Sequence, residues 1–195
     1  MVTDNKDPID EFKQWFAEAE KAEPINPNAM TLATCTADGK PTARMVLLKD
    51  VTDEGFTFYT NLGSRKGGNL ADNPWAALCF YWKNVARQVR VEGPVVTVND
   101  AEADEYFASR PRMSQIGAWA SKQSQALSGR FELEKRIAKY TAKHLVGPVP
   151  RPEFWSGFRV VPERIEFWSE HEFRLHERTL YIRDGDNWTT ETLYP

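Results

Sequence analysis

From Met30 onward the chain is written in short apolar runs of strand length, broken by turn residues, and this texture limits the possible folds more than any other feature. MTLATCT (30–36) and ARMVLLKDV (43–51) flank Ala37-Asp38-Gly39-Lys40, where Asp-Gly supplies the conformations that a tight hairpin turn needs. FTFYT (56–60), AALCFYW (76–82) and RQVRVEGPVVTV (87–98) follow. FWSGFRVV (154–161), RIEFWSE (164–170), RTLYIRD (178–184) and NWTTETLYP (187–195) complete the series, with Asp184-Gly185 marking another hairpin. Val89 and Val91 alternate with Gln88, Arg90 and Glu92, the period of a strand buried on one face. Many antiparallel strands at short intervals, with a few helices inserted, predict an α+β chain built on a closed or nearly closed β-barrel with peripheral helices.

Three helices are expected. Residues 8–21 carry Ile9, Phe12, Trp15, Phe16 and Ala19 at helical spacing, with Asp7 as cap and Pro8 at the first helical position. Residues 100–110 read as a helix capped by Asn99 or Asp100, and residues 124–145 as a longer one with Leu127, Phe131 and Ile137 on one stripe. EPINPNAM (23–30) is a connector, and GPVPRP (147–152) a rigid break rather than a linker, because strands resume directly after it. No repeat or low-complexity tract divides the 195 residues, so one domain over 1–195 is expected, with residues 1–7 flexible.

Composition removes several function classes. Lys plus Arg is 25 and Asp plus Glu 28, a net charge of −3 that argues against a general nucleic-acid binder. No stretch has the roughly 18 apolar residues of a spanning helix, and the amino terminus lacks a signal layout, so neither a membrane nor export is expected and the location is read as cytoplasmic. Cys35 and Cys79 stand apart in apolar contexts, read as buried reduced thiols, and no His/Cys cluster has metal-ligand spacing. Seven Trp, six Tyr and eleven Phe fit either a plain core or rings lining a flat ligand, and composition leaves both open.

Three clusters carry the chemistry. The loop Asn61-Leu-Gly-Ser-Arg-Lys-Gly-Gly-Asn69 follows a strand and precedes a helical turn, with Arg65 and Lys66 adjacent. Glycines let a ligand approach the backbone, and a fork plus a point charge suit a phosphate, although the loop is not a Walker motif; a solvated basic loop remains the plain alternative. Tyr106 and Arg110, four apart, share a helix face with Ser114 a few residues on, which fits either an anion site or a surface pair followed by a cap. In an extended segment Arg174, His176 and Arg178 point one way, and three adjacent bases repel unless an anion or polarisable ligand faces them.

Seven segments, in order, resemble the pyridoxamine 5′-phosphate oxidase family: RMVLLK (44–49), FYTNLGSRK (58–66), RQV (87–89), SRPRMSQIGAWASKQS (109–124), FWSGFR (154–159), IEFW (165–168) and RLHER (174–178). The resemblance runs from about Asp7 to Pro195 and implies an FMN-binding split β-barrel, a homodimer with its sites at the subunit interface. It implies FMN-dependent oxidation of pyridoxamine or pyridoxine 5′-phosphate to pyridoxal 5′-phosphate by dioxygen, giving hydrogen peroxide, and ammonia from the amine.

By matching position, the resemblance implies that Arg44, Met45, Val46, Leu47, Leu48 and Lys49 line the flavin and that Tyr59 and Thr60 continue that wall. Arg65 and Lys66 would hold the FMN phosphate, while Gln88, Gln123, Ser124, Trp168 and Arg178 complete the flavin contacts, some from the partner chain. Lys49, Tyr106, Arg110 and Ser114 would grip the substrate phosphate; Arg174, Leu175 and His176 would sit over the pyridine ring, with Arg174 and His176 as the catalytic pair. Two departures bear on substrate closure: the chain begins close to the first helix, without most of an amino-terminal extension found in some relatives, and Asn26 replaces an acidic residue common among them. The competing readings are a phenazine-biosynthesis type of flavin oxidase, which needs no such phosphate grip, and a split-barrel module that binds flavin, haem or pyridoxal phosphate without turnover.

Overall fold

The computed structural model describes residues 7–195, so the expected flexibility of residues 1–6 lies outside the described residues. Helix α1 (Pro8–Ala22) starts where its signals place it, with the Asp7 carboxylate accepting from the Ile9 N–H at 2.8 Å. Ten strands follow in one antiparallel system. The first five are β1 (Ala29–Cys35), β2 (Pro41–Leu47), β3 (Asp50–Thr52), β4 (Gly55–Asn61) and β5 (Trp75–Trp82). The others are β6 (Arg87–Thr97), β7 (Trp155–Val160), β8 (Arg164–Ser169), β9 (Glu177–Asp184) and β10 (Asn187–Thr192). Between them lie α2 (Arg65–Asp72), α3 (Asp100–Ser109), α4 (Arg112–Ala120) and α5 (Glu132–Lys143).

The main path runs β10-β9-β8-β6-β5-β1-β2, and β7, β4 and β3 branch from the far half of β6. β6 pairs with β8 through Arg87–Glu92 and with β7 from Val95 onward. Gly93-Pro94 marks the change of partner: a Cβ on Gly93 would lie 2.0 Å from the Val161 carbonyl oxygen, so only glycine lets the two branches approach. The sheet therefore curls into a half-open barrel instead of lying flat. Its concave side is filled by a cluster of rings in which Phe12 of α1, fully buried, meets Phe56 at 4.8 Å and Phe80 at 5.0 Å.

Both Asp-Gly pairs form the expected hairpins, β1–β2 and β9–β10. Four expectations are corrected. Residues 43–51 do not form one strand, because the chain breaks at Leu48-Lys49, where Leu48 turns into the core and the Lys49 N–H bonds the Thr57 carbonyl at 2.9 Å. Residues 124–145 are helical only from Glu132 to Lys143: Ser124 holds a left-handed φ of 71°, Gly129 adds a weak helix former, and Leu127 and Phe131 are 65% and 60% exposed. Of the proposed stripe only Ile137 packs inward. Arg112–Ala120 is an additional helix, started at Pro111, where only the end of α3 is expected. Cys35 and Cys79 are half-buried on strand faces, not enclosed.

Because Phe12 is the fully buried ring by which α1 meets Phe56 and Phe80, Phe12→Ala is expected to cost about 3–5 kcal/mol of unfolding free energy. Urea unfolding of the variant checks this, and a loss under about 1 kcal/mol would show that α1 is peripheral to the core.

Candidate functional site

A cavity of about 600 Å³ opens beside the broken edge strand, between β2, β4, α3 and α4. Met45, Val46, Leu47 and Lys49 form one wall, Tyr59, Thr60, Asn61 and Lys66 its floor, and Tyr106, Arg110, Ser114, Gln123 and Trp155 the far side.

One end is built on the basic loop. Ser64 caps α2, accepting from the Gly67 N–H, and a Cβ on Gly67 would sit 2.1 Å from the Leu62 carbonyl oxygen, so the turn needs glycine there. Lys66 is 7% exposed and its Nζ donates to Thr60 Oγ1 and Gln123 Oε1 at 3.0 Å each and to Ser64 Oγ at 3.2 Å. Behind it, Arg44 donates to the Leu32 carbonyl at 3.1 Å and Thr34 Oγ1 at 2.8 Å, while Asn69 bonds the Thr34 and Thr42 hydroxyls. These partners are all neutral. Burial, then the charge of Arg44, pulls Lys66 down to about 8, and burial, then Arg65, lowers Arg44.

The other end is built on α3. Arg110 closes that helix with its guanidinium 4.8 Å above the Trp155 ring, and its buried Nη1 has no hydrogen-bond partner. Burial lowers its pKa, opposed by Tyr106. Lys49 Nζ stands 5.9 Å from the Tyr106 ring centroid, and Ser114 faces the same space from α4. Among the described residues no carboxylate forms an ion pair with Arg44, Lys49, Arg65, Lys66 or Arg110. A buried guanidinium N–H without an acceptor and a desolvated ammonium among neutral oxygens fit anionic oxygens brought by a ligand, one group at each end.

The remaining sequence-predicted residues lie elsewhere on this chain. Leu48 is core, Arg65 is exposed beside the loop, and Ser124 borders a smaller groove with Gln123. Gln88, Trp168 and Arg178 are register partners across β6, β8 and β9 on the outer face of the sheet. The reading of Arg174, His176 and Arg178 as one extended basic face is corrected: Glu172–Arg174 is a tight turn with left-handed φ at Phe173 (58°) and Arg174 (62°). Arg178 is compensated by Glu166 at 2.9 Å, and His176 leans on the Trp168 ring at 4.7 Å. Leu175 is 66% exposed and Arg174 is exposed with it, away from the cavity. Asn26 occupies a left-handed turn before β1. Asn61, the first residue of the basic loop, lines the cavity; sequence reasoning missed Trp155, although it lies inside a segment already marked by the resemblance.

Since Lys66 is neutral in a growing fraction of molecules above about 8, and anion binding favours its charged form, affinity for inorganic phosphate is expected to fall as pH rises through that value. Calorimetric titration from pH 7 to 10 checks this, with the slope lost in Lys66→Gln; a pH-independent affinity in the unaltered protein would place the anion elsewhere.

Comparison with known proteins agrees with this geometry. A family model described as pyridoxamine 5′-phosphate oxidase matches residues 16–144, and one for the pyridoxine 5′-phosphate oxidase C-terminal dimerisation region matches residues 155–195. The pyridoxine/pyridoxamine 5′-phosphate oxidase of Rhodospirillum rubrum is 61% identical over 197 residues, covering 98% of each chain. That of Brucella canis is 55% identical over 196 residues, covering 99% of this chain and 96% of its own. Among solved structures, PhzG from Burkholderia lata, in complex with tetrahydrophenazine-1-carboxylic acid, superposes with a TM-score of 0.93 at 34% identity, covering 99% of this chain and 95% of its own. An FMN-binding protein of Nostoc punctiforme, related to pyridoxamine 5′-phosphate oxidase, shares the fold at a TM-score of 0.78 and 15% identity, covering 97% of this chain and 99% of its own. Matched along nearly its whole length, this chain belongs to the pyridoxamine 5′-phosphate oxidase family.

Proposed function

We propose that the chain is an FMN-dependent oxidase converting pyridoxamine 5′-phosphate and pyridoxine 5′-phosphate to pyridoxal 5′-phosphate, with dioxygen as acceptor. The observation that carries this reading is a single cavity holding two cationic ends and no neutralising carboxylate. Relatives at 55–61% identity bear that activity in their names.

Lys66, with Arg65 and the amino end of α2, holds the cofactor phosphate, and Arg44 adds positive charge from behind. Lys49, Tyr106, Arg110 and Ser114 hold the substrate phosphate, which satisfies the orphaned guanidinium N–H. Met45, Val46 and Leu47 offer an apolar wall along which a planar ring can lie. Fixing both phosphates aligns the two rings, and such alignment contributes on the order of 7–11 kcal/mol toward the reaction barrier. FMN held there would supply the acceptor for a hydride equivalent from the substrate's 4′ carbon, with dioxygen as the final oxidant giving hydrogen peroxide. The amine substrate leaves as an imine that water converts to the aldehyde and ammonia.

Arg174, Leu175 and His176, at and just after a turn, do not line the cavity of their own chain. We assign them, with the outer-face row of Gln88, Trp168 and Arg178, to the site of a second copy. The match to a dimerisation region over residues 155–195, which contains all of these except Gln88, supports a homodimer. In that arrangement the Arg174 guanidinium stabilises electron density on the pyridine ring, and His176 orients it. Among the described residues no helix is long and apolar enough to cross a membrane, and a cytoplasmic location completes the proposal.

The close superposition on PhzG favours one second reading, oxidation of a reduced phenazine in the same cavity. Oxygen uptake by the FMN-loaded protein decides between them: uptake with pyridoxamine 5′-phosphate supports the first, uptake only with a dihydrophenazine the second, and none a binding module. Arg174→Leu is expected to lower kcat about 100-fold with flavin affinity within about twofold. Arg65→Ala with Lys66→Ala is expected to weaken FMN binding about 100-fold, the loss of two charged contacts. Single-turnover rates and flavin titrations check both, and indistinguishable profiles would contradict two separate anion ends.

A further inference from the structure

Glu102 and Tyr106 are four apart on α3 and Arg110, the residue that caps it, is four further on, so a carboxylate, a phenol and a guanidinium follow one another along that side of the helix. Tyr106 and Arg110 line the cavity. Glu102 lies behind them, in a recess of about 280 Å³ that it shares with Lys49, Tyr59 and Arg159. Its two carboxylate oxygens accept from Arg159 Nη2 at 3.0 Å each, and one also accepts from the Tyr59 hydroxyl at 3.4 Å. Arg159 is itself fixed on β7 by Thr57 Oγ1 at 3.2 Å and by Glu54.

The Tyr59 ring lies flat against Tyr106, with centroids 4.0 Å apart and planes 17° from parallel. Tyr59 has little freedom to retreat, because the Gly157 backbone packs so close to the ring that a side chain there would not fit, and the Trp155 ring stacks on it with centroids 5.3 Å apart. Burial, then Glu102, pushes the Tyr59 hydroxyl up to about 12, so it keeps its proton and donates to the carboxylate at ordinary pH. Among the described residues the Tyr106 hydroxyl has no hydrogen-bond partner, so ring packing sets its position.

We propose that Glu102 is a positioning residue for the substrate-phosphate grip: tethered to Arg159, it holds Tyr59 flat against Tyr106 and so fixes where the Tyr106 hydroxyl meets the phosphate. The proposal rests on the reading of this cavity as a pyridoxamine 5′-phosphate site. Glu102 does not line the cavity itself, so its effect passes through two rings. It acts on recognition of the phosphate and not on the chemistry at the 4′ carbon.

Steady-state kinetics of the FMN-loaded enzyme with pyridoxamine 5′-phosphate test this in Glu102→Ala, Glu102→Gln, Tyr106→Phe and the double variant Glu102→Ala/Tyr106→Phe. Glu102→Ala is expected to raise KM about tenfold, ~1.4 kcal/mol, with kcat and flavin affinity within about twofold. Glu102→Gln keeps an acceptor for Tyr59 and is expected to recover most of that loss. The double variant is expected to have a KM within about twofold of Tyr106→Phe alone, since both changes act on one hydroxyl. Should Glu102→Ala fail to fold, Tyr59→Phe, which leaves the Glu102–Arg159 pair intact, is expected to raise KM in the same way. An unaltered KM in Glu102→Ala, additive losses in the double variant, or equal falls in kcat and flavin affinity would each overturn the positioning role. Unmodified enzyme that does not oxidise pyridoxamine 5′-phosphate overturns the substrate assignment and this proposal with it; normal turnover with an unaffected variant removes Glu102 alone.

Discussion

Positive charge held without a counter-charge organises this molecule. Lys66 is desolvated among neutral oxygens, Arg44 stands behind it on Thr34 and Thr42, and Arg110 keeps a buried N–H with no acceptor. Three half-buried arginines outside the cavity are answered by carboxylates: Arg151 by Asp100 and Asp104, Arg159 by Glu54 and Glu102, Arg178 by Glu166. The contrast separates cations that hold the fold from cations that wait for a ligand. Charges of the second kind lower the stability of the free protein and are tolerated because a rigid frame surrounds them.

That frame follows from the sheet. The change of partner at Gly93-Pro94 bends the strands around Phe12, Phe56 and Phe80, and the break at Leu48-Lys49 leaves β2 as an open edge beside the cavity. The acid–base contacts of α3 then fix the distal wall: Arg151 and Arg159, both from the stretch around β7, reach three carboxylates on one helix. The position of α3 and the setting of Arg110 are thereby fixed by the same short segment that brings Trp155 beneath the guanidinium.

Much of this was legible in the chain. The α1 cap, the two Asp-Gly hairpins and the alternation of β6 depend on local rules, and the structure repeats them. Tyr106, Arg110 and Ser114 could be placed together because helix spacing is a local matter too, and all three line one cavity. The errors fall where local rules end. Leu127 and Phe131 keep the apolar spacing of a helix, but Ser124 is left-handed and both side chains are exposed. Arg174 leaves the extended conformation through two successive left-handed residues that nothing in RLHER announces. Glu102 and Arg159 are 57 residues apart, and no periodicity joins them.

Crystals soaked with FMN and pyridoxal 5′-phosphate together give the most direct measurement. The FMN phosphate should appear on Lys66 and the α2 amino end, and the second phosphate on Arg110 Nη1, Tyr106, Ser114 and Lys49, with the two rings stacked between. Density for one phosphate only, or two rings lying apart, would contradict a cavity built around two anions.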